Sequence, residues 1–122
     1  MIDIFVQSRY IVDRVKLQGR TVSFLKKLGI NANLYGVSIA IVGDRKMASI
    51  HKKYANKSGP TPVLAFPMHE NVSEDRKDTT MLGEIIISYP QTVLFAADES
   101  KLVDDKLGEF IEHGITTLLS GA

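Results

Sequence analysis

The residues of this chain equipped for chemistry are three histidines, a run of lysine and arginine, and a carboxylate-rich final segment. His51, His69 and His113 come from different segments. Read singly they are three unrelated imidazoles, His113 a helix-edge or core histidine; gathered by folding they would make a rearranged metal site. No cysteine is present, so neither a disulfide framework nor a thiolate zinc site is available. Arg45, Lys46, Lys52, Lys53 and Lys57 follow one another with no acidic residue between Arg45 and Lys57. Such a concentration of charge attracts a phosphate backbone, and Tyr54 among them can stack a base. The plainer alternative is a solvated helix face with Tyr54 turned inward beside Met47 and Ile50. Asp98, Glu99, Asp104, Asp105, Glu109 and Glu112 stand against Lys101 and Lys106. Paired carboxylates can serve acid–base work or a divalent cation, but here Asp98 and Glu99 suit the start of a helix and the others its watery side. Glycine-rich phosphate loops and a G-x-S-x-G nucleophile turn are absent.

The elements that must position these residues follow from periodicity and punctuation. Asp3 to Val12, rich in β-branched and aromatic residues, reads as a strand or bent strand. Asp13 caps a helix running to about Leu28, with Leu17, Phe24, Leu25 and Leu28 on one stripe and Gly29 as its stop. Gly19 weakens that helix. Asn31 to Gly36 is turn chemistry, and Val37 to Val42 is a buried strand ending at Gly43-Asp44. Asp44 then caps a second helix, Arg45 to about Tyr54. Lys57 to Pro60 breaks the chain; Thr61 to Pro67 is extended, and Pro62 and Pro67 favour a sheet edge. His69 to Thr80 is polar and reads as a mobile loop, and Leu82 to Ser88 as a strand. Pro90 opens a short helix through Phe95. The last helix begins at Asp98 to Ser100, its apolar stripe made by Val103, Leu107, Phe110, Ile111, Gly114 and Leu118. Alternating strands and helices place the chain in the α/β or α+β class, a small sheet covered by helices.

With 122 residues, 44% hydrophobic and 24% charged, the chain is the size and balance of one globular domain, 1–122. Disordered, collagen-like and coiled-coil classes are excluded. The net charge of +1 means that nucleic-acid binding has to come from a local patch. No apolar stretch reaches the roughly 18 residues of a membrane span, and Met1 to Phe5 lacks the pattern of a signal peptide. A cytoplasmic protein with no membrane partner is expected.

Three segments resemble the YbeY family, bacterial single-strand endoribonucleases of rRNA maturation. Ile50 to Pro67 is similar to L-N-x-x-Y-R-G-K-x-x-P-T-D-V-L-S-F-P, Leu82 to Ser88 to L-G-D-I-x-I-S, and His113 to Ala122 to the start of H-G-x-L-H-L-x-G-Y-D-H. The resemblance covers nearly the whole chain and implies a single domain with a small mixed β-sheet of about four strands packed with helices. It also implies one metal ion, taken as zinc, on an H-x3-H-x5-H run with an open position for water. His113 takes the first ligand position, but Thr117 stands at the second and the third would follow Ala122. The family Arg that contacts substrate is Ala55, its Asp is Pro62 and its Ser is Ala65, while Gly121 and Ala122 stand for the family Tyr and Asp.

Every change in the expected groove removes polar chemistry while the apolar scaffold persists. The expectation is therefore an rRNA- or ribosome-associated binding factor, with zinc absent or weakly held and cleavage weak or lost. Three readings stay open beside it: an active nuclease whose metal is held by His51, His69 and His113 or completed by a partner subunit, a protein-interaction domain without RNA contact, and a sequence that stops short of the ligand run. Thr117 lies inside that run and is already changed.

Overall fold

The near-continuous apolar run from Val37 to Val42 has no watery side, and it forms a strand covered on both faces. The computed structural model describes residues 1–55, 61–68 and 80–120. Its elements are β1 (Ile2–Val6), α1 (Arg14–Lys27), β2 (Tyr35–Val42), α2 (Asp44–Ala55), β3 (Val63–Pro67), β4 (Thr80–Ser88), α3 (Tyr89–Asp98) and α4 (Val103–Leu119). The sheet has the order β1-β2-β4-β3, with β1, β2 and β4 parallel and β3 antiparallel to β4. This is the small mixed four-stranded sheet expected from the sequence, and β3, bounded by its prolines, is indeed an edge.

Strand alternation divides the side chains between two layers. Val37, Ile39, Ile41, Ile85 and Ile87 face α1 and α4, where Leu17, Leu25, Leu107, Ile111, Ile115 and Leu118 close the larger core. Val42 and Ile86 face α2, with Met47 buried against them and Ala40, Ile50, Leu64 and Phe66 around it. Thus α2 lies on one face of the sheet and α4 on the other. Helix α3 leaves the end of β4 and meets α4 through Phe95 and Phe110, whose rings sit edge to face at 5.7 Å.

Two glycines set the distance between α4 and the sheet. Between Gly36 and Val37 the register of β2 against β4 shifts, leaving Leu82 as an extra residue in β4. At the adjoining Gly83 a Cβ would collide with the Phe66 carbonyl oxygen and lie 2.6 Å from Leu118 Cδ2. At Gly114 it would lie 2.8 Å from Ile85 Cδ1. A side chain at Gly114 would force Ile85 or α4 to shift, and one at Gly83 the backbone of β3.

The first helix follows the sequence closely. The Asp13 carboxylate accepts from Lys16 N–H at 3.0 Å, and Gly29 takes φ 76°. Ile30 N–H donates to Leu25 O and Gly29 N–H to Lys26 O, a paired C-terminal closure.

Four expectations are corrected. The strand read from Asp3 to Val12 stops at Val6; beyond the Gln7 N–H to Ile41 O bond the chain turns, and Tyr10 stacks on Tyr89 with centroids 4.5 Å apart. Tertiary packing overrides β propensity there. Asp44 is not the cap of α2 but its first residue, and the Gly43 carbonyl accepts from Met47 N–H. The Asp44 carboxylate instead accepts from the Ser88 hydroxyl at 2.8 Å, and Ser88 accepts from Gln91 N–H to cap α3. The helix opened by Pro90 runs past Phe95 to Asp98. Lastly, α4 starts at Val103, because Ser100 at φ 57° turns the chain and Lys101 N–H closes back on Ala96 O. Asp98 and Glu99 therefore end α3, and Asp104 and Asp105 serve the first turn of α4. The break at Lys57 to Pro60 and the loop from His69 lie outside the described residues, except Thr80, which opens β4.

Candidate nucleic-acid interface

Helix α2 carries Arg45, Lys46, Lys52 and Lys53 on its solvent side, all exposed, while Met47 beneath them is fully buried. Its flank toward β3 and β4 opens a groove of about 500 Å³ lined by Lys46, Ser49, Ile50, Lys53, Tyr54, Phe66, Glu84 and Ile86. Tyr54 does not turn inward beside Met47. It is 62% exposed and stands edge to face on Phe66 at 5.5 Å, with Lys53 Nζ 5.2 Å from its ring. Aromatic surface beside ammonium groups can stack bases and neutralise phosphates at once. Lys52 is exposed but lines no part of this groove, and Lys57 lies outside the described residues.

Sequence reasoning missed Glu84. Strand β4 places Ile85 and Ile87 against α4, so Glu84 falls on the α2 face, opposite Phe66 in β3. The signal was present in the alternation of that strand and in the family acid of L-G-D-I. In the groove its carboxylate can accept from an exocyclic amino group of a base.

On the other side of the sheet His113 is exposed on the flank of α4 that carries Phe110 and Thr117. Helical spacing puts this flank away from Asp105, Gly108 and Glu112, which face α1. The Thr117 hydroxyl donates to the His113 carbonyl at 3.1 Å, so it is folded back on its own helix. His51 belongs to α2, across the sheet from His113, and His69 lies outside the described residues. Among the described residues no three His, Cys, Asp or Glu side chains gather to hold a metal. Of the two ligand positions that the resemblance places within α4, His113 carries an imidazole and Thr117 a hydroxyl bound to its own helix. Ala55 ends α2; Pro62 and Ala65 lie in and just before β3, and none of the three carries an ionisable group.

Three carboxylates of α4, Asp105, Glu109 and Glu112, and Glu99 at the end of α3 are held by neighbouring cations. Glu112 receives two bonds from the Arg20 guanidinium, at 2.7 and 3.1 Å, and this partner holds the Arg20 pKa above its ordinary value. Glu99 and Glu109 bracket Lys101 and Lys106. Hydrogen bonds from Lys106 and Lys101 pull Glu99 below the usual carboxylate range, and the bond from Lys101 does the same to Glu109. No helix among the described residues is long and apolar enough to cross a membrane.

The family model for endoribonuclease YbeY matches residues 6–120. A protein of Thermodesulfovibrio yellowstonii named endoribonuclease YbeY is 34% identical over 93% of this chain and 74% of its own length. One of Bartonella henselae with the same name is 35% identical, covering 97% of this chain and 77% of the relative. A third, from Anaeromyxobacter, is 31% identical, and the chain spans 51% of it. The solution structure of TM1509 from Thermotoga maritima superposes with a TM-score of 0.65 at 21% identity, over 97% of this chain and 71% of that one. That structure supports the fold.

Proposed function

This chain belongs to the endoribonuclease YbeY family, and from that premise we propose that it binds single-stranded ribosomal RNA through α2 while metal-dependent cleavage is weak or lost. The observation that carries the reading is Tyr54, exposed on Phe66 and flanked by Lys53 at the mouth of the groove. An RNA strand laid there meets ammonium groups at Lys46 and Lys53, aromatic surface at Tyr54 and Phe66, and one acceptor at Glu84. The chain acts in the cytoplasm in ribosome maturation, with rRNA or ribosome-associated proteins as partners.

The family's chemistry is hydrolysis of a phosphodiester assisted by a metal. Its helix motif has a second imidazole one turn after the first, where this chain has Thr117. A hydroxyl bonded to the backbone offers a metal far less than an imidazole, which is why binding is retained in the reading and efficient cleavage is not.

The test is a binding and cleavage assay on labelled single-stranded rRNA segments, with zinc added or chelated. The expected outcome is RNA bound in both conditions and no chelator-sensitive cleavage by the native chain. In the same assay Thr117→His, which sets two imidazoles at i and i+4, is expected to raise zinc affinity by titration calorimetry. Chelator-sensitive cleavage by the native chain at rates matching the complete family motif contradicts the loss of chemistry, and absence of RNA binding contradicts the whole reading.

A further inference from the structure

A second cleft opens where the parallel strands end, and the family motifs do not reach it. It holds about 650 Å³ and is lined by Gln7, Arg9, Tyr10, Gly43, Asp44, Arg45, Lys46, Ser49 and Pro90. The carboxyl ends of β1 and β2 and the start of α3 converge there, the place where open α/β sheets leave room for ligands. Three cations, Arg9, Arg45 and Lys46, stand against one carboxylate, that of Asp44. Asp44 is already engaged by Ser88 Oγ at 2.8 Å and by Gln91 Nε2 at 3.3 Å. Among the described residues none of the three cations is drawn into an ion pair. The attraction resides in these side chains, beside which Gly43 N–H is taken by Gln7 Oε1 at 3.0 Å.

The wall is rigid as well as charged. Tyr10 lies flat on Tyr89 and its hydroxyl closes over Gly43, where a Cβ would come within 2.8 Å of it. Arg9 stands beside this stack, its guanidinium carbon 5.9 Å from the Tyr10 centroid. Lys46 and Ser49 line this cleft and also the groove beneath Tyr54 and Phe66, so the two depressions share an edge. Along the α2 axis the eight steps from Lys46 to Tyr54 rise about 12 Å. A single strand stacked on Tyr54 that continues along the helix therefore arrives at Arg45 and Arg9.

We infer that this cleft is a second phosphate-binding subsite for the same RNA strand, with Arg9 and Arg45 contacting the backbone beyond the Tyr54 groove. The inference rests on the RNA-binding reading and extends it to a stretch of β1–α1 chain that nothing in the family motifs singles out. The occupant is a polynucleotide and not a free nucleotide, because only a strand spans both depressions.

Fluorescence anisotropy of the full chain with labelled single-stranded RNA tests it, using oligomers of about four and about 12 nucleotides, lengths within the range of single-strand sites. Arg9→Ala and Arg45→Ala remove exposed side chains, and unchanged melting temperatures confirm their folding. Arg9→Ala is expected to leave the short oligomer's affinity unaltered and weaken the long one several-fold, and Arg45→Ala to weaken the long oligomer more than the short one. The salt slope for the long oligomer should become shallower by about 0.7 for every phosphate that the variant no longer neutralises. Lys53→Glu, in the Tyr54 groove, weakens both lengths. If Lys53→Glu weakens both while Arg9→Ala and Arg45→Ala bind the long oligomer with native affinity and slope, the second subsite is wrong and the RNA reading stands. If the native chain binds neither length, both fall.

Discussion

Three glycines, each lacking the same methyl group, have opposite consequences for this molecule. At Gly19, on the exposed side of α1, an added Cβ meets nothing within 4 Å. At Gly114 it would press on the buried Ile85 side chain at 2.8 Å, and at Gly83 it would strike the backbone oxygen of Phe66. Gly19→Ala is expected to stabilise the chain by about 0.5–1 kcal/mol through helix propensity and unfolded-state entropy. Gly114→Ala is expected to cost about 1–3 kcal/mol, as overpacked cores do, with Gly83→Ala worse because backbone cannot step aside. Urea unfolding of the three variants checks the order. The sequence marks Gly19 as a weak point of its helix and Gly114 as part of the apolar stripe, and the structure agrees on both. Glu84 was legible only as a position alternating with Ile85, and its value depends on which side of β4 faces α2, a fact settled when Ile85 and Ile87 pack in the larger core and Ile86 against α2.

Among the elements, α4 is tied to its neighbours by two sets of charges. Arg20 lies across Gly108 to grip Glu112 and donates to the Asp105 carbonyl at 3.1 Å, fixing α1 to α4. At the turn between α3 and α4, Lys106 keeps 10% of its side chain exposed, with Nζ 4.8 Å from the Phe110 ring centroid and 2.9 Å from Glu99. Glu99 and Glu109 there have pKa values lowered from 4.5, so their stabilising share is complete above that pH. It is lost as pH falls through the lowered folded-state values and the carboxylates take up protons. Glu109→Gln is expected to melt slightly below the native chain at pH 7, the difference shrinking as pH falls below 4.5; both carboxylates are exposed enough for the effect to be small. A melting difference that does not shrink as the solution is acidified contradicts this account. The stripe of α4 was legible at helical spacing, but its start was not. Asp98 and Glu99 are good residues for a helix beginning, and only the left-handed turn at Ser100 assigns them to the end of α3.

At the scale of the molecule, the sheet separates two chemistries. The face under α4 holds the larger core and carries His113, exposed, and Thr117 on the flank of that helix. The face under α2 holds a smaller core and, above it, cations and aromatic rings around a groove. With a net charge of only +1, the proposed RNA affinity needs a local patch of positive charge, and that second face carries one. The most direct measurement is the affinity of the full chain for single-stranded RNA as a function of salt, beside Lys52→Glu/Lys53→Glu. Binding is expected to weaken steeply with salt, and the double variant to lose roughly ten-fold or more with a shallower slope. Equal affinity and equal slope in the two proteins would contradict the assignment of RNA binding to α2.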